Sequence, residues 1–284
     1  MGIGARSICA FPATEAEILC ELRDMSIQIP PVLTLVIPAF NEAARLPQSL
    51  VELQRHSSRW DFPYEIIVVV EPSSDHTVEL AEKAAKSYPE LKVIANPVHR
   101  GKGFAVRTGM LASNGELVFF TDSDLSTPLK DLDRAVALFK AQPDIDVIVG
   151  SRKHPDSQIL QHQSPMRELM GDTFNRFVRV LAGFNFLDTQ CGFKGFRADA
   201  AHEIFERAQI DGFSFDVEVL LLAQAMNFVV LEVPVHWSNS PESKVKVVGD
   251  SLKMLRDLFQ VRKIVRNAMN RQPLAVESGA SSRK

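Results

Sequence analysis

The chain holds only three cysteines, Cys9, Cys20 and Cys191, too few and too scattered for a disulfide framework or a zinc site of paired ligands. That scarcity fits a reducing compartment. Neither sign of charge dominates: 32 Lys and Arg stand against 35 Asp and Glu, a net −3, which excludes the broad basic footprint of a nucleic-acid-binding protein. No window approaches the run of about 18 apolar residues that a membrane-spanning helix needs. Residues 1–24 carry Glu15, Glu17 and Glu21 and no uninterrupted apolar core, so they do not read as a secretory leader. The expected location is the cytoplasm.

What is present is an ordinary globular composition, 45% hydrophobic in 284 residues, enough for a core without staples. Residues 1–30 read as an N-terminal tail. Apolar runs then alternate with helical stretches. Leu33 to Ile37 reads as a strand stopping at Pro38, and Asn41-Glu42 opens a helical stretch through Leu53. Ile66 to Val70 is a second strand, 77–87 a helix, and Val93 to Ala95 a short strand. Lys102 to Ala112 is helical, Leu117 to Thr121 is a strand, and Pro128 begins a helix, where proline is tolerated. Asp146 to Val149 is a fifth strand. Beyond it the pattern predicts a helix over 166–182, a loop at 183–195, helices near 198–208 and 216–226, and a strand at 228–235. Residues 272–284 are rich in Ser and Gly and read as a disordered tail.

Strands alternating with helices predict one α/β domain, a Rossmann-like, mostly parallel sheet with helices on both faces. Such sheets bind ligands beyond the carboxyl ends of their strands. Asn41-Glu42, Glu71 to Asp75, Asp122 to Ser126 and Arg152 all lie at such ends and are expected to face one cleft.

The sharpest of these clusters is Thr121-Asp122-Ser123-Asp124-Leu125-Ser126. Two carboxylates two residues apart, directly after a buried strand, are costly unless a cation meets them. Mg²⁺ is bound by a few carboxylates while keeping positions for water and phosphate oxygens, so the motif suits a metal–diphosphate. A solvated turn with helix-capping acids is the plainer alternative. The glycine-flanked Lys102 suits an anion at a helix start, or only a tight turn. Arg152, Arg167 and Lys194 are candidate phosphate ligands or plain surface cations.

Four segments carry a resemblance when taken together: Val36-Ile37-Pro38-Ala39-Phe40-Asn41-Glu42, Arg100-Gly101-Lys102-Gly103, Thr121 through Pro128, and Asp188-Thr189-Gln190-Cys191-Gly192-Phe193-Lys194. In this order they resemble glycosyltransferase family two, nearest to its polyprenyl-phosphate branch, the dolichyl-phosphate glucosyltransferases and mannose synthases. The resemblance runs from about Leu33 to Leu258. It implies the GT-A fold over 31–240, an inverting transfer dependent on Mg²⁺ or Mn²⁺, and a nucleotide-sugar donor, with glucose from UDP-glucose favoured. It also implies a polyprenyl phosphate as acceptor. Pro38, Ala39, Asn41 and Glu42 would line the nucleotide pocket, with Lys102 near the donor diphosphate. Asp122, Asp124 and Ser126 would hold the metal and the sugar diphosphate. Arg152 and Arg167 would receive the acceptor phosphate, with Gln190 and Lys194 on the acceptor side. Asp188 would sit near the reacting sugar, as a base or an orienting group, so that Asp124, Asp188, Arg152 and Arg167 form the expected catalytic set.

One departure stands out. The family's second strand usually ends in two aspartates before Gly-Ser, whereas Val70-Glu71-Pro72-Ser73 stands here. Glu71 and Ser73 are then the groups expected toward the nucleobase. Two rival readings keep the scaffold: transfer to a soluble acceptor, or an inactive sugar-nucleotide-binding module.

The region 241–271 reads as a basic amphipathic helix, with Met254, Leu258, Val261 and Val265 on one face and Arg256, Lys263 and Arg266 opposite. Such a helix either packs on protein or lies in a membrane interface. With a lipid acceptor, the expectation extends to peripheral contact with the cytoplasmic face of a membrane.

Overall fold

The structure is a computed structural model. It describes residues 30–162, 171, 173, 175, 176, 178, 179, 183, 185–239, 257 and 261–270. The expected tails at 1–29 and 272–284, the first part of the 166–182 helix with Arg167, and most of the 241–260 segment lie outside the described residues.

The strands are β1 (Leu33–Ala39), β2 (Tyr64–Val70), β3 (Leu91–Ala95), β4 (Leu117–Phe120), β5 (Val147–Ser151), β6 (Gln158–Gln161), β7 (Lys194–Arg197), β8 (Val230–Pro234) and β9 (His236–Ser238). The helices with assigned bounds are α1 (Leu46–Ser57), α2 (Thr77–Ala85), α3 (Lys102–Leu111), α4 (Leu129–Ala141), α5 (Ala198–Arg207) and α6 (Phe215–Ala225). The main sheet has the order β3-β2-β1-β4-β7-β5-β8, and a small second sheet pairs β6 with β9. Every pairing in the main sheet is parallel except those of β7, which runs against both β4 and β5. The strands other than β7 therefore end at one edge, and the chain enters β7 from that same edge.

Successive side chains on a strand face opposite ways. Val36, Ile67, Val69, Val118 and Phe120 accordingly join one core with α3, α5 and α6. Leu35, Ile37, Ile66, Val68, Val70 and Phe119 join the other with α1, α2 and α4. Both faces of the sheet are covered, which is why these strands are apolar without alternation. Each fully buried Leu, Ile, Val or Phe side chain contributes about 1.5–3 kcal/mol.

Four elements differ from expectation. β1 runs through Pro38 rather than stopping there. Pairing with β4 reaches only Val36, with a last bond from Thr121 N to Val36 O. Pro38, two residues on, faces the side where β4 has ended, so its missing N–H orphans nothing. The first helix starts at Leu46, because Asn41 adopts φ 53 and turns the chain first. The expected 228–235 strand is β8 alone, and the short strands β6 and β9, which form the second sheet, are not among the expected elements. Finally, β7 occupies residues expected in part as a loop.

Residues 261–269 are helical. Val261, Val265 and Ala268 are buried in the first core, while Arg262, Lys263 and Arg266 face solvent. Here these apolar residues pack on protein, and the basic face is exposed. Among the described residues no helix is long and apolar enough to cross a membrane.

Candidate active site

β4 delivers the two acids. After Phe120 the chain turns, with Leu125 at φ 50 and its N–H bonded to Asp122 O at 3.0 Å. Asp124 Oδ1 accepts from Ser126 N at 3.0 Å and from Ser126 Oγ at 2.6 Å. Its other oxygen faces Arg45 at 3.6 Å. The Asp122 side chain is 38% exposed, and its Oδ1 meets Lys102 Nζ at 2.5 Å. Burial pulls the Lys102 ammonium pKa down, but Asp122 and then Asp216 outweigh it and leave it above the usual lysine value. The two acids offer hard oxygens and leave positions for phosphate and water, so the donor set suits Mg²⁺ or Mn²⁺. Among the described residues no group of three acids, histidines or cysteines forms a cage made by the protein alone. Ser126 is buried and its hydroxyl donates to Asp124, so it fixes that carboxylate.

Gly192 makes room for Asp122. A Cβ there would stand 2.0 Å from Asp122 Oδ2. Gly192→Ala must displace the carboxylate, and sub-ångström placement matters at such sites. Turnover is expected to fall about 10²-fold with the fold retained, read from steady-state rates beside a thermal melt.

Glu71 behaves unlike a ligand for a base. It is 2% exposed. Its Oε1 accepts from Asn96 Nδ2 at 2.8 Å. Its Oε2 accepts from Arg100 N at 2.7 Å and Gly101 N at 3.1 Å, and meets His99 Nδ1 at 2.8 Å. The backbone N–H groups of the Arg100-Gly101 turn are thus already taken by the Glu71 carboxylate. The glycines there serve packing: Gly101 has φ 126, and a Cβ on it would lie 2.6 Å from Asp211 O. Lys102 is left as the loop's cationic side chain at the acids. The expectation for Glu71 is thus corrected.

The β1–α1 and β2–α2 turns lock together. Asn41 N donates to Ser73 Oγ at 3.0 Å, Ser74 N to Asn41 Oδ1 at 2.7 Å, and Glu42 N to Thr77 Oγ1 at 2.7 Å. The Glu42 carboxylate binds Arg45 at 2.6 Å. Asn41, Glu42 and Ser73 therefore shape this rim through mutual bonds, Ala39 is buried beneath it and Pro38 is half-buried. The ring of Phe40 stacks on His99 at 4.2 Å, an exposed pair that no sequence signal marked.

Across the cleft, Arg152 grips Asp188 with two bonds, Nε to Oδ2 at 2.7 Å and Nη2 to Oδ1 at 3.0 Å. Arg152 N and Gln190 N add to the same carboxylate. Glu232 on β8 accepts from Leu187 N and Asp188 N, and Asn175 Oδ1 accepts from Thr189 N, which fixes the loop. Burial would raise the Asp188 pKa, but Arg152 and these bonds bring it to about 2. A carboxylate so paired is a poor base, and of the two expected roles the pairing with Arg152 favours the orienting one. Arg152 also lies over Trp237 at 5.5 Å. Gln190 Nε2 is buried without a hydrogen-bond partner among the described residues.

The depressed pKa has a consequence for stability. Its contribution is present above the unfolded value, 3.8, and is lost as pH falls toward about 2. It amounts to about 2 kcal/mol. The gap in urea-unfolding free energy between the wild type and Asp188→Asn is expected to be constant from pH 7 to 5 and to narrow below pH 4.

Lys194 is the last correction. Its side chain is 0% exposed, its Nζ bonding Asp216 Oδ1 at 2.5 Å and Cys191 O at 2.8 Å. It cannot touch an acceptor. Burial pushes the Asp216 carboxyl above its usual pKa, and Lys194 and Lys102 oppose that push.

The model for glycosyl transferase family 2 matches residues 34–205. The dolichyl-phosphate β-glucosyltransferase of Dictyostelium discoideum is 34% identical over 240 residues, 81% of this chain and 73% of that protein. The human protein of the same name is 33% identical over 241 residues, 81% of this chain and 74% of its own. Among solved structures, glucosyl-3-phosphoglycerate synthase from Mycobacterium tuberculosis with Mn²⁺ and UDP-glucose superposes with a TM-score of 0.60 at 17% identity, covering 89% of this chain and 84% of that one. That likeness is one of fold, the GT-A arrangement. With the acids, lysine and arginines gathered at one sheet edge, the match over more than half of the chain leaves one conclusion: this protein is an enzyme belonging to glycosyl transferase family 2.

Proposed function

We propose that this enzyme transfers glucose from UDP-glucose to a polyprenyl phosphate, with inversion and with Mg²⁺ or Mn²⁺ held by Asp122 and Asp124. The observation that carries the reading is the pair of acids at the end of β4, faced by Lys102, with Arg152 nearby. Support for the glucosyl group and for the acceptor comes from the names of relatives, dolichyl-phosphate β-glucosyltransferases.

The chemistry follows from charge. An oxygen of the acceptor phosphate attacks the anomeric carbon as the bond from that carbon to the donor diphosphate breaks, and UDP departs with the electron pair. A phosphate nucleophile is already anionic and needs no base, which agrees with Asp188 being committed to Arg152. Bound metal supplies Lewis-acid neutralisation of the departing diphosphate. Lys102, at the start of α3 beside the acids, adds positive charge next to it. Arg152 presents a cationic edge to the acceptor side.

In this reading residues 31–240 are the catalytic domain and 241–271 a basic C-terminal region. Arg262, Lys263 and Arg266 then face anionic headgroups from the cytoplasmic side of the membrane that holds the acceptor.

The test is a donor screen. Purified protein with Mn²⁺ or Mg²⁺ meets UDP-glucose, GDP-mannose and related donors, with and without a short-chain polyprenyl phosphate. Release of UDP that rises with the lipid phosphate and stops with EDTA is expected. Release that the lipid does not stimulate would move the acceptor to a soluble molecule. No release or binding of any donor would overturn the reading.

A further inference from the structure

We propose that Lys102 and a divalent cation compete for the Asp122 carboxylate, and that buried Asp216, counter-charged by Lys194, is the positioning residue that keeps Lys102 in place when the cation takes Asp122. The inference rests on the donor reading above, and it assigns work to a buried ion pair which that reading leaves unused.

The geometry is a row of alternating charge: Lys194, Asp216, Lys102, Asp122. Its ends are fixed by contacts of 2.5 Å, from Lys194 Nζ to Asp216 Oδ1 and from Lys102 Nζ to Asp122 Oδ1. Its middle is set by chain neighbours: Lys102 Nζ lies 6.0 Å from the ring of Phe215, the residue before Asp216, and Asp216 is one of the charges that favour the Lys102 ammonium. Two helix starts create this proximity. Lys102 opens α3 and Asp216 is the second residue of α6. They abut so closely that a Cβ on Gly103 would lie 2.6 Å from the Cβ of Phe215. The Phe120 ring lies 5.5 Å from Lys194 Nζ, so the buried part of the row, Lys194 and Asp216, runs through apolar surroundings.

In such surroundings a lone carboxylate or two neighbouring ammonium groups would be strongly disfavoured. Asp216 between two lysines satisfies both. A cation on Asp122 takes one partner from Lys102, yet Asp216 remains, so the ammonium stays at the cleft and is available to the diphosphate. Metal and diphosphate then help one another to bind, because each relieves the Lys102–Asp122 pairing that opposes the other. Such coupling is reciprocal.

The test uses Mn²⁺ alone as probe, its free fraction read by electron paramagnetic resonance on the full chain without nucleotide. Lys102→Met removes the competitor, so Mn²⁺ is expected to bind about tenfold tighter while UDP, titrated calorimetrically with Mn²⁺ present, binds at least several-fold more weakly. Asp216→Asn drives Lys102 onto Asp122, so Mn²⁺ alone is expected to bind several-fold more weakly. The Lys194→Met/Asp216→Asn pair removes both buried charges, guards against misfolding, and is expected to match Asp216→Asn. Unchanged or weaker Mn²⁺ binding by Lys102→Met overturns the competition, whatever the other variants do. Unchanged Mn²⁺ binding by a folded Asp216 variant overturns the positioning role. Wild-type protein that binds no UDP with Mn²⁺ present would instead sink the donor reading.

Discussion

Asp124→Asn is expected to leave the fold intact and to remove metal-dependent turnover, lowering kcat by about 10²–10³-fold. The structure separates the two jobs of this side chain. Oδ1 holds the turn by accepting from Ser126 N and Ser126 Oγ, and the asparagine oxygen can take both bonds. Oδ2 faces Arg45 and the cleft, and there the amide replaces an anion with a neutral donor. Loss of one partly exposed ion pair shifts stability by about 1 kcal/mol or less. Rates of UDP release with Mn²⁺ and with EDTA, beside a thermal melt, check both halves. A variant that keeps its metal-dependent rate would remove Asp124 from the metal site.

Glu71→Ala is expected to have the largest effect on stability. The change leaves buried Asn96 Nδ2 and part-buried Arg100 N and Gly101 N without their acceptor, and deprives His99 of its partner. Breaking a buried, charge-assisted cluster by removing one partner costs about 3–5 kcal/mol. For a domain of this size that lowers the melting temperature by roughly 10 °C. Hydrogen exchange at the Arg100 and Gly101 amides is expected to speed up, and KM for the nucleotide sugar to rise more than kcat falls, because the released loop carries Lys102. A stable variant with unchanged exchange would mean that Glu71 does not anchor the loop.

The sheet was legible because its strands are buried on both faces and read as continuous apolar runs between turn residues. β1, β2, β4 and β5 follow that rule, and the strand-end logic places Asn41, Glu71, Asp122 and Arg152 on one edge. β7 was not legible, since Lys194-Gly195-Phe196-Arg197 carries a fully buried lysine whose counter-charge, Asp216, lies 22 residues away. Glu71 misleads for the same reason. Its partners at Asn96 to Gly101 are 25–30 residues distant, and no local pattern says that a strand-end acid will be consumed by a neighbouring turn rather than by a ligand. Gly192 is marked in sequence only by its motif, and its reason is a carboxylate 70 positions earlier that leaves no room for a side chain. Asp188 carried a local clue of acidity but none of its pairing with Arg152. Sequence periodicity reports which face of an element is buried, whereas the role of a charged group depends on which other charge the fold brings to it.

The most direct measurement is the product itself. Protein is incubated with ¹³C-labelled UDP-glucose, Mn²⁺ and a short-chain polyprenyl phosphate, the lipid is extracted, and its mass and anomeric coupling are read. The account predicts a lipid heavier by one labelled hexosyl unit, β at the anomeric carbon, absent with EDTA and absent with Asp124→Asn. An unmodified lipid beside consumed UDP-glucose, or an α-linked product, would contradict it.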